Sequence, residues 1–360
     1  MEPKVAVVIL NWNGWRDTIE CLESLFQVSY ESMFVIVVDN GSTDDSVRRL
    51  REYCQGGTEI QSFILRLEGG TQPVSKVEYA REDAVRVSLK NSRGIDVPPK
   101  RMITLIRNER NYGFAEGCNI GMRYALAAVD PEYILLLNND TVVDPGLLTE
   151  MIRVGESDKG IGILGPKILY YDFNGRNDVI WYAGGAINPW YELVFFHVGI
   201  GEADKGQYDS VAETEWCTGA ALMLKRELAG TSLLNPVYTF GAEDVEYCMD
   251  ARSRGHKITY VPTAKVWHKV GASWKKLGRR IGRDVVGYFH FVKTNFSGPV
   301  YVYHIFLFIA LILPRWAVTY AMEQGDKKTL HDFLKDMKQL GKYLVSESQE
   351  NEIRQSGRQL

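Results

Sequence analysis

The sequence predicts an α/β fold with a mainly parallel sheet flanked by helices, followed by a helical C-terminal extension. The main observation is an alternation of short, apolar, β-branched runs with segments that repeat apolar residues at helical spacing. The second observation is composition, because 45% hydrophobic and 24% charged residues over 360 positions are typical of a chain that buries a large core. The length allows one large α/β domain with an appendage, or two domains.

Continuous apolar runs predict strands that are buried on both faces of the sheet. Two such runs lie at residues 5–10 and 34–38, and further strands are expected at 103–106, 134–137, 161–164 and 258–261, with another candidate at 264–268. Helical spacing predicts a helix after each of the first two strands, and another around 115–128. Ser42 or Thr43 is expected to cap the second helix.

Residues 56–100 fit this alternation poorly, because they are rich in charge and contain Gly69-Gly70 and Pro98-Pro99. We interpret them as an insertion at the sheet edge, with short strands of its own around 60–67 and 85–89. The chain is divided at residue 275 into a main α/β domain, 1–275, and a C-terminal helical region, 276–360.

Charge, cysteine content and missing motifs exclude several classes of protein. Forty-two basic and forty-five acidic residues give a net charge of −3, so a positive field that holds nucleic acid is not expected. Five scattered cysteines without a CxxC pair indicate a reducing compartment rather than a zinc ribbon or a disulfide scaffold. The N-terminus lacks the pattern of a secretory signal, so a cytoplasmic protein is expected. Neither the Rossmann glycine fingerprint nor a Walker loop follows the first strand.

Polar residues collect where the predicted strands end, which is where ligands bind in an open α/β sheet. They are Asn11 and Asn13, Asp39, and the triplet Asn138-Asn139-Asp140. Each also has an ordinary structural interpretation, since a lone Asp often caps a helix and such a triplet often only ends a strand.

Two further candidates lie downstream. Glu243-Asp244 is expected to open a helix, where acids are stabilised by the dipole whether or not they are functional. His268 ends the candidate strand at 264–268, and a single histidine is more often structural than a ligand. No one of these signals is specific.

In combination these segments resemble the family 2 glycosyltransferases over residues 5–268, interrupted by the insertion. The segments that carry the resemblance, in chain order, are Val7-Val8-Ile9-Leu10-Asn11-Trp12-Asn13-Gly14, Val37-Val38-Asp39-Asn40-Gly41-Ser42-Thr43-Asp44, Asn111-Tyr112-Gly113-Phe114-Ala115 with Asn119 and Gly121, Leu135-Leu136-Leu137-Asn138-Asn139-Asp140-Thr141, Thr218-Gly219-Ala220, Glu243-Asp244-Val245-Glu246, and Tyr260-Val261-Pro262 before His268. The resemblance implies the Rossmann-like GT-A fold, a nucleoside-diphosphate sugar as donor, Mn²⁺ or Mg²⁺ as cofactor, and inversion at the anomeric carbon.

The resemblance also implies roles for individual residues. Asp244 matches the catalytic base, with Glu243 beside it, and Asp140 and His268 match metal or diphosphate contacts. Residues that match the nucleotide-sugar site are Asn11, Asn13, Asp39, Asn111, Gly113, Asn119, Asn138, Asn139 and Gly219. Asn138 stands where the family's DxD motif has its first acid, so Asp140 alone would supply a carboxylate to the metal.

A second departure from the family's motifs indicates which kind of glycosyltransferase to expect. Processive synthases of the family carry a Gln-x-x-Arg-Trp motif after the base, whereas this chain has Cys248-Met249-Asp250-Ala251-Arg252. The sequence is therefore similar to the rhamnosyltransferase-like branch, whose members add single sugars of hexosyl type to lipid-linked glycans or polysaccharide precursors. The alternatives are a sugar nucleotidyltransferase, although its glycine-rich basic loop is missing after the first strand, and a non-catalytic protein that binds nucleotide sugars.

The apolar run at residues 300–313 would extend about 21 Å as a helix, which is short of a hydrocarbon core of about 30 Å. A basic stretch precedes it, and a helical stripe from Leu330 to Leu344 follows it. We expect peripheral attachment to an anionic membrane surface, at the cytoplasmic face. The alternative is that these helices pack on the main domain or form a homodimer.

Overall fold

The computed structural model describes residues 2–65, 70–90, 100–191, 194–238, 241–270 and 281–312, together with Pro314 and Lys338. The chain divides into two compact units. The larger comprises Met1–Ile187, Phe195–Pro236 and Glu243–Ala272, and the other comprises Asn188–Val194, Val237–Ala242 and Ser273–Leu360. The larger unit thus ends close to the predicted division at residue 275, but the sequence did not indicate that two short internal segments belong to the second unit.

Strands and helices alternate through the first half of the larger unit. The strands are β1 (Val5–Asn11), β2 (Met33–Asp39), β3 (Ser75–Ala80), β4 (Met102–Arg107), β5 (Tyr133–Asn138), β6 (Thr141–Val143), β7 (Ile161–Tyr170), β8 (Ile180–Tyr182), β9 (Gly185–Ile187), β10 (Phe195–His197), β11 (Ala212–Glu213), β12 (Ala221–Lys225) and β13 (Lys257–His268). The helices of this unit are α1 (Trp15–Leu25), α2 (Ser46–Tyr53), α3 (Arg81–Lys90), α4 (Phe114–Tyr124), α5 (Leu147–Ser157), α6 (Arg226–Thr231) and α7 (Glu243–Ser253), and a π-helical turn at Ala125–Val129 extends α4.

One large sheet runs in the order β11-β13-β7-β12-β5-β1-β2-β4-β3, with β6 paired to β13 and β8 to β7. Neighbouring strands from β5 to β3 are parallel, and so are β7 and β13. Strand β12 is antiparallel to both of its neighbours. The predicted fold class, a mainly parallel sheet flanked by helices, is confirmed. The continuous apolar runs succeed as predictors because β1 and β2 are covered on both faces.

Helix α4 lies very close to the sheet through two glycines one turn apart. A Cβ added at Gly121 would lie 2.4 Å from Cγ1 of Val8, and one added at Gly117 would lie 2.5 Å from Cδ1 of Leu10. Only a residue without a side chain allows this approach, which brings the beginning of α4 to the carboxyl ends of β1 and β2.

The insertion differs from its prediction. Residues 85–89 belong to helix α3, so the strand expected there is wrong, and residues 60–65 form no strand, while 66–69 lie outside the described residues. Val85, Val87 and Leu89 alternate with polar residues, but Glu82 and Asp83 in the first turn favour a helix. The insertion instead contributes β3, which pairs in parallel with β4 at the sheet edge.

Two smaller expectations are corrected. Helix α2 begins at Ser46 after Asp45, so neither Ser42 nor Thr43 caps it. The candidate strands at 258–261 and 264–268 are parts of the single strand β13, whose pairing with β7 is irregular between Val261 and Lys265.

The second unit contains α8 (Ile281–Asn295) and α9 (Gly298–Leu307), which a π-helical turn at Phe308–Ile312 extends. The apolar run predicted at 300–313 is therefore helical over most of its length. None of the helices in the described part of the chain is long and apolar enough to cross a bilayer. Most of the basic stretch, at 271–280, and nearly all of the stripe at 330–344 lie outside the described residues.

The contact between α4 and β1 predicts that Gly121→Ala destabilises the protein, although alanine is the better helix former. Forcing a methyl group against Val8 is expected to lower the free energy of unfolding by about 1–3 kcal/mol. The higher helix propensity of alanine offsets about 1 kcal/mol of this loss. Gly230→Ala in α6 is the matched control, because a Cβ there meets no atom within 4 Å. Midpoints of denaturant unfolding should fall for Gly121→Ala and stay level or rise for Gly230→Ala. Equal midpoints for the two variants would contradict the close contact.

Candidate active site

The carboxylate of Asp39 lies at the end of β2 and is 2% exposed. Its Oδ1 accepts hydrogen bonds from Nδ2 of Asn11 at 2.7 Å and from Oγ of Ser42 at 2.6 Å, and its Oδ2 accepts one from the Ser42 N–H at 3.1 Å. Asn11 and Asp39 are directly paired in the parallel register of β1 and β2. Ser42, one of the two residues expected to cap the second helix, instead holds Asp39 through these two hydrogen bonds.

A chain of side chains connects this carboxylate to the end of β5. Oγ1 of Thr18 donates to Oδ1 of Asn11 at 2.8 Å, and Nδ2 of Asn139 donates to Oγ1 of Thr18 at 3.0 Å. The turn after β1 is also tied to the turn after β2, because Oδ1 of Asn13 accepts the N–H of Thr43 at 2.8 Å. The predicted residues Asn11, Asn13 and Asn139 therefore lie around one edge of the sheet, beside Asp39.

The loop after β4 is organised by Asn40, a side chain that is 1% exposed. Its Nδ2 donates to Oδ1 of Asn111 and to the carbonyl of Gly113, both at 3.0 Å, and its Oδ1 accepts the N–H of Tyr112 at 3.1 Å. Gly113 has φ 84°, a backbone conformation that favours glycine. Asn111 and Gly113 are thereby fixed next to the Asp39 turn.

Asn119 is placed differently from the other predicted residues. Its Nδ2 donates to the carbonyl of Leu234 at 2.8 Å, and its Oδ1 accepts the Leu234 N–H at 3.0 Å. This side chain holds the segment after α6 against α4, and its contact with a nucleotide stays a prediction.

Asp140 and His268 form a buried pair on the other side of β5. Nε2 of His268 lies 3.1 Å from Oδ1 of Asp140, and Nδ2 of Asn138 lies 3.5 Å from the same nitrogen. Burial raises the pKa of Asp140, but the interactions with His268, a backbone hydrogen bond and the Lys269 charge together outweigh it, so the pKa lies below its usual range. The ring of Trp181 meets the His268 ring nearly edge-on, with 4.6 Å between centroids.

These side chains suit a divalent cation that is shared with a phosphate group. Mg²⁺ takes ligands at about 2.0–2.1 Å in an octahedron, so neighbouring ligands lie about 3 Å apart, as the Asp140 oxygen and the His268 nitrogen do. Nδ1 of His268 is buried and has no hydrogen-bond partner among the described residues. No group of three or more His, Cys, Asp or Glu side chains in the described ranges could enclose a metal. Asp140 and His268 therefore offer one oxygen and one nitrogen at the spacing that neighbouring ligands of a divalent cation would have.

Asp244 occupies the second position of α7, beside the buried Glu243. Its Oδ2 accepts the Gly219 N–H at 2.6 Å, and its Oδ1 accepts the Val245 N–H at 2.8 Å. Burial raises the pKa of Asp244 above its usual range, although both N–H groups oppose this. A Cβ on Gly219 would lie 3.4 Å from Oδ2 of Asp244 and 3.3 Å from Phe114, so the small residue allows the carboxylate to approach the backbone.

The two halves of the site meet where β5 and β12 pair. Gly219 precedes Ala220, whose carbonyl accepts the Asn138 N–H at 3.0 Å. The Gly219 N–H, which binds Asp244, is thus one residue from the Ala220 carbonyl, which binds the Asn138 N–H. Asn138 lies two residues before Asp140. Residues from distant parts of the sequence converge on one edge of the sheet.

Sequence reasoning missed several residues that build this edge. Asn40 and Ser42 stand in the same polar segment as Asp39, so a search for all short polar side chains after β2 would have found them. Thr18 and Trp181 carry no such signal, because they reach the site only through the packing of α1 and β8.

Comparisons with known proteins identify the family and the fold of this chain. Residues 88–287 match the family model described as "Glycosyltransferase like family 2", and residues 6–75 match the one described as "Glycosyl transferase family 2". A curated relative, the low-salt glycan biosynthesis hexosyltransferase Agl10 of Haloferax volcanii, is 24% identical over 150 residues, which are 41% of this chain and 46% of that protein. The chain spans less than half the length of the curated relatives it matches.

Solved structures show the same fold at low identity. The mannosyltransferase PcManGT from Pyrobaculum calidifontis, in complex with GDP-Man and Mn²⁺, is 16% identical with a TM-score of 0.50, over 98% of this chain and 87% of that one. S. aureus TarS 1-349, in complex with UDP-GlcNAc, is 13% identical with a TM-score of 0.52, over 94% and 80%. The first family match alone covers more than half of the sequence, and the fold is of the GT-A type. The chain belongs to glycosyltransferase family 2.

Proposed function

We propose that this protein is an inverting, metal-dependent glycosyltransferase that moves one hexosyl unit from a nucleoside-diphosphate sugar to a hydroxyl acceptor. The observation that carries the proposal is the placement of three different groups along one sheet edge. They are the Asp39 network, the Asp140–His268 pair and the Asp244 carboxylate. Family membership supports sugar transfer, and the similar structures that hold GDP-Man or UDP-GlcNAc support a nucleotide-sugar donor.

The donor's nucleoside is assigned to the Asp39 end. Asp39 and Asn11 lie at the carboxyl ends of adjacent parallel strands, where this class of sheet binds ligands. The turns that carry Asn13, Asn111 and Gly113 surround these residues and form the walls of the proposed pocket. Asn138 and Asn139 would lie between the nucleoside and the diphosphate.

Asp244 is assigned as the general base. An acceptor hydroxyl is a weak nucleophile, so a carboxylate within hydrogen-bond reach must take its proton as the new glycosidic bond forms. The raised pKa of Asp244 makes it a stronger base than a solvated aspartate. The N–H groups of Gly219 and Val245 hold the carboxylate in one orientation, and the buried Glu243 lies beside it in α7.

Asp140 and His268 are assigned to the diphosphate end, where they would hold Mn²⁺ or Mg²⁺. When bound, such a cation would neutralise the charge that develops on the departing diphosphate. Asp140 would supply a carboxylate and Asn138 a neutral amide, and the Trp181 ring packs nearly edge-on against His268.

The acceptor and the cellular location are proposed from the exposed apolar side chains of the second unit. Val302, Phe306 and Ile309 follow one another at helical spacing on α9 and its extension, and they are 64%, 65% and 59% exposed. Trp190, 55% exposed, contacts the ring of Tyr303 in the same unit, and such aromatic residues favour a membrane interface. An apolar stripe of this kind, next to a basic sequence, is typical of a helix that lies in the plane of an anionic membrane. We therefore propose a peripheral enzyme on the cytoplasmic face that extends lipid-linked glycans, as in the rhamnosyltransferase-like branch.

The role of Asp244 predicts that Asp244→Asn folds but loses turnover by about 10²–10⁴-fold, because the amide cannot accept the proton. Asp250→Asn, on the exposed side of the same helix, is the control and should retain activity. In the wild type the rate should rise with pH as Asp244 loses its proton, and its raised pKa places this limb above the range of a solvated aspartate. Turnover is measured as release of nucleoside diphosphate. Near-normal turnover in Asp244→Asn would exclude this residue as the base.

The Asp140–His268 pair predicts that His268→Gln raises the Mn²⁺ concentration required for half-maximal donor hydrolysis by roughly 10-fold or more. His256→Gln is the matched control, because His256 directly precedes the first residue of β13 whereas His268 is the last. It should leave that concentration unchanged. The measurement is hydrolysis of nucleotide sugar without acceptor, at increasing Mn²⁺. An unchanged requirement in His268→Gln would remove this residue from the cation site.

The exposed stripe on α9 predicts that the protein floats with anionic vesicles and that Val302→Ser combined with Phe306→Ser abolishes flotation. Each exposed apolar side chain that enters the interface contributes about 1.5–3 kcal/mol at full burial. Ile200→Ser, which removes an apolar residue that is 53% exposed in the larger unit, is the control. A wild type that stays with the soluble fraction as a dimer, and a double variant that is monomeric, would favour the homodimer.

A further inference from the structure

The insertion brings an arginine to the carboxyl edge of the sheet. Strand β3 pairs with β4 so that Ala80 is opposite Arg107, the last residue of β4. Arg81 follows directly as the first residue of α3. It therefore lies at the same level as the loop 108–113, which leaves the end of β4 and borders the Asp39 turn.

Arg81 makes three contacts with that loop. Its Nη1 donates to the Tyr112 hydroxyl at 2.7 Å, and its guanidinium carbon lies 4.5 Å from the centre of the Tyr112 ring. It also forms an ion pair with Glu109 at 3.5 Å, and Glu109 accepts a hydrogen bond from the same hydroxyl. The Arg81 side chain is only 33% exposed, so this is a partly desolvated contact rather than a fully solvated pair.

The inner side of the loop is already fixed to the nucleoside end. Asn40, next to Asp39 in the sequence, accepts the Tyr112 N–H and donates to Asn111 and Gly113. Gly41 has φ 66°, and a Cβ there would lie 2.3 Å from the carbonyl carbon of Arg110. The turn after Asp39 and the loop 108–113 are thus in direct backbone contact, so a displacement of one is transmitted to the other.

We propose that Arg81 is a positioning residue for the nucleotide and that the insertion serves the donor site through it. Asn40 holds the loop from inside and Arg81 holds the Tyr112 side chain from outside, so the wall of the nucleoside pocket is rigid before the nucleotide arrives. This inference rests on the proposed function, because it takes the ligand at Asp39 to be a nucleoside diphosphate. Arg81 itself is not assigned a contact with the nucleotide.

The expected size of the effect follows from the contacts that are lost. A partly exposed cation–π contact contributes about 0.5–1 kcal/mol, and a hydrogen bond contributes a similar amount. Loss of both contacts would weaken nucleotide binding by roughly 3- to 10-fold, because the free-energy cost of ordering the loop would then reduce the binding free energy. The chemical step is not expected to change, because Asp244, Asp140 and His268 are not altered.

The test compares Arg81→Gln and Tyr112→Phe with Arg86→Gln. Arg86 lies on the same helix, is 71% exposed and pairs with Asp83 at 3.8 Å, so its replacement is a matched loss of charge. Binding of UDP, GDP, CDP and dTDP is measured by calorimetry with Mn²⁺, and donor KM and kcat are measured with the matching nucleotide sugar. Hydrogen–deuterium exchange of residues 108–113 is followed without any ligand.

The inference expects weaker binding and a higher donor KM at unchanged kcat for Arg81→Gln, a smaller change for Tyr112→Phe, and none for Arg86→Gln. It also expects faster exchange of the 108–113 amides in Arg81→Gln, a smaller increase in Tyr112→Phe, and none in Arg86→Gln. If the wild type binds a nucleotide and Arg81→Gln binds it equally well, the inference is wrong while the proposed function stands. If the wild type binds none of the four nucleotides, the proposed function fails, and this inference fails with it. A fall in kcat without a change in KM would assign Arg81 to the chemical step or to general stability and would overturn the positioning role.

Discussion

The buried carboxylate of Asp39 is the constraint on which the rest of the site depends. A carboxylate that is 2% exposed is costly unless its oxygens are hydrogen-bonded, and here Asn11 and Ser42 provide three donors. Asn11 donates its amide N–H to Asp39, and its amide oxygen accepts a hydrogen bond from the Thr18 hydroxyl. The Thr18 hydroxyl in turn accepts a hydrogen bond from Nδ2 of Asn139. The ends of β1, β2 and β5 are therefore joined by one polar chain, so the edge that is proposed to bind the donor is formed before any ligand is present.

The opposite half of the site is fixed mainly through the backbone. The N–H of Lys269 donates to the carbonyl of Asp140 at 3.0 Å, and the N–H of Tyr171 donates to the carbonyl of His268 at 2.9 Å. The Lys269 side chain forms ion pairs with Asp17 and the buried Glu20 on α1. Helix α1 thus supports both halves, because Thr18 faces the Asp39 chain while its neighbours hold the strand end that carries His268.

Sequence reasoning located the elements whose burial leaves a pattern and missed those that depend on long-range pairing. Strands β1, β2 and β5 contain continuous apolar runs, and the polar residues that follow them are predictable because strand ends are adjacent in a parallel sheet. Strands β6, β8 and β11 have only two or three residues, which is too short for any periodicity. Residues 85–89 alternate like a strand, yet they belong to helix α3, whose acidic first turn favours a helix. The role of Asn40 depends on a loop 70 residues away, which no local pattern predicts.

The replacement of the first acid of the DxD motif by Asn138 changes the electrostatics of the proposed cation site. Two carboxylates would neutralise most of the charge of a divalent ion, whereas Asp140 with the amide of Asn138 leaves a net positive charge directed at the diphosphate. The same arrangement would attract a free cation less strongly, because one buried carboxylate, already paired with His268, would be its only anionic ligand among the described residues. In the proposed reaction the diphosphate would then supply the missing negative ligands, so cation and donor would bind tightly only together. The asparagine is consistent with a catalytic site in which the nucleotide completes the metal coordination.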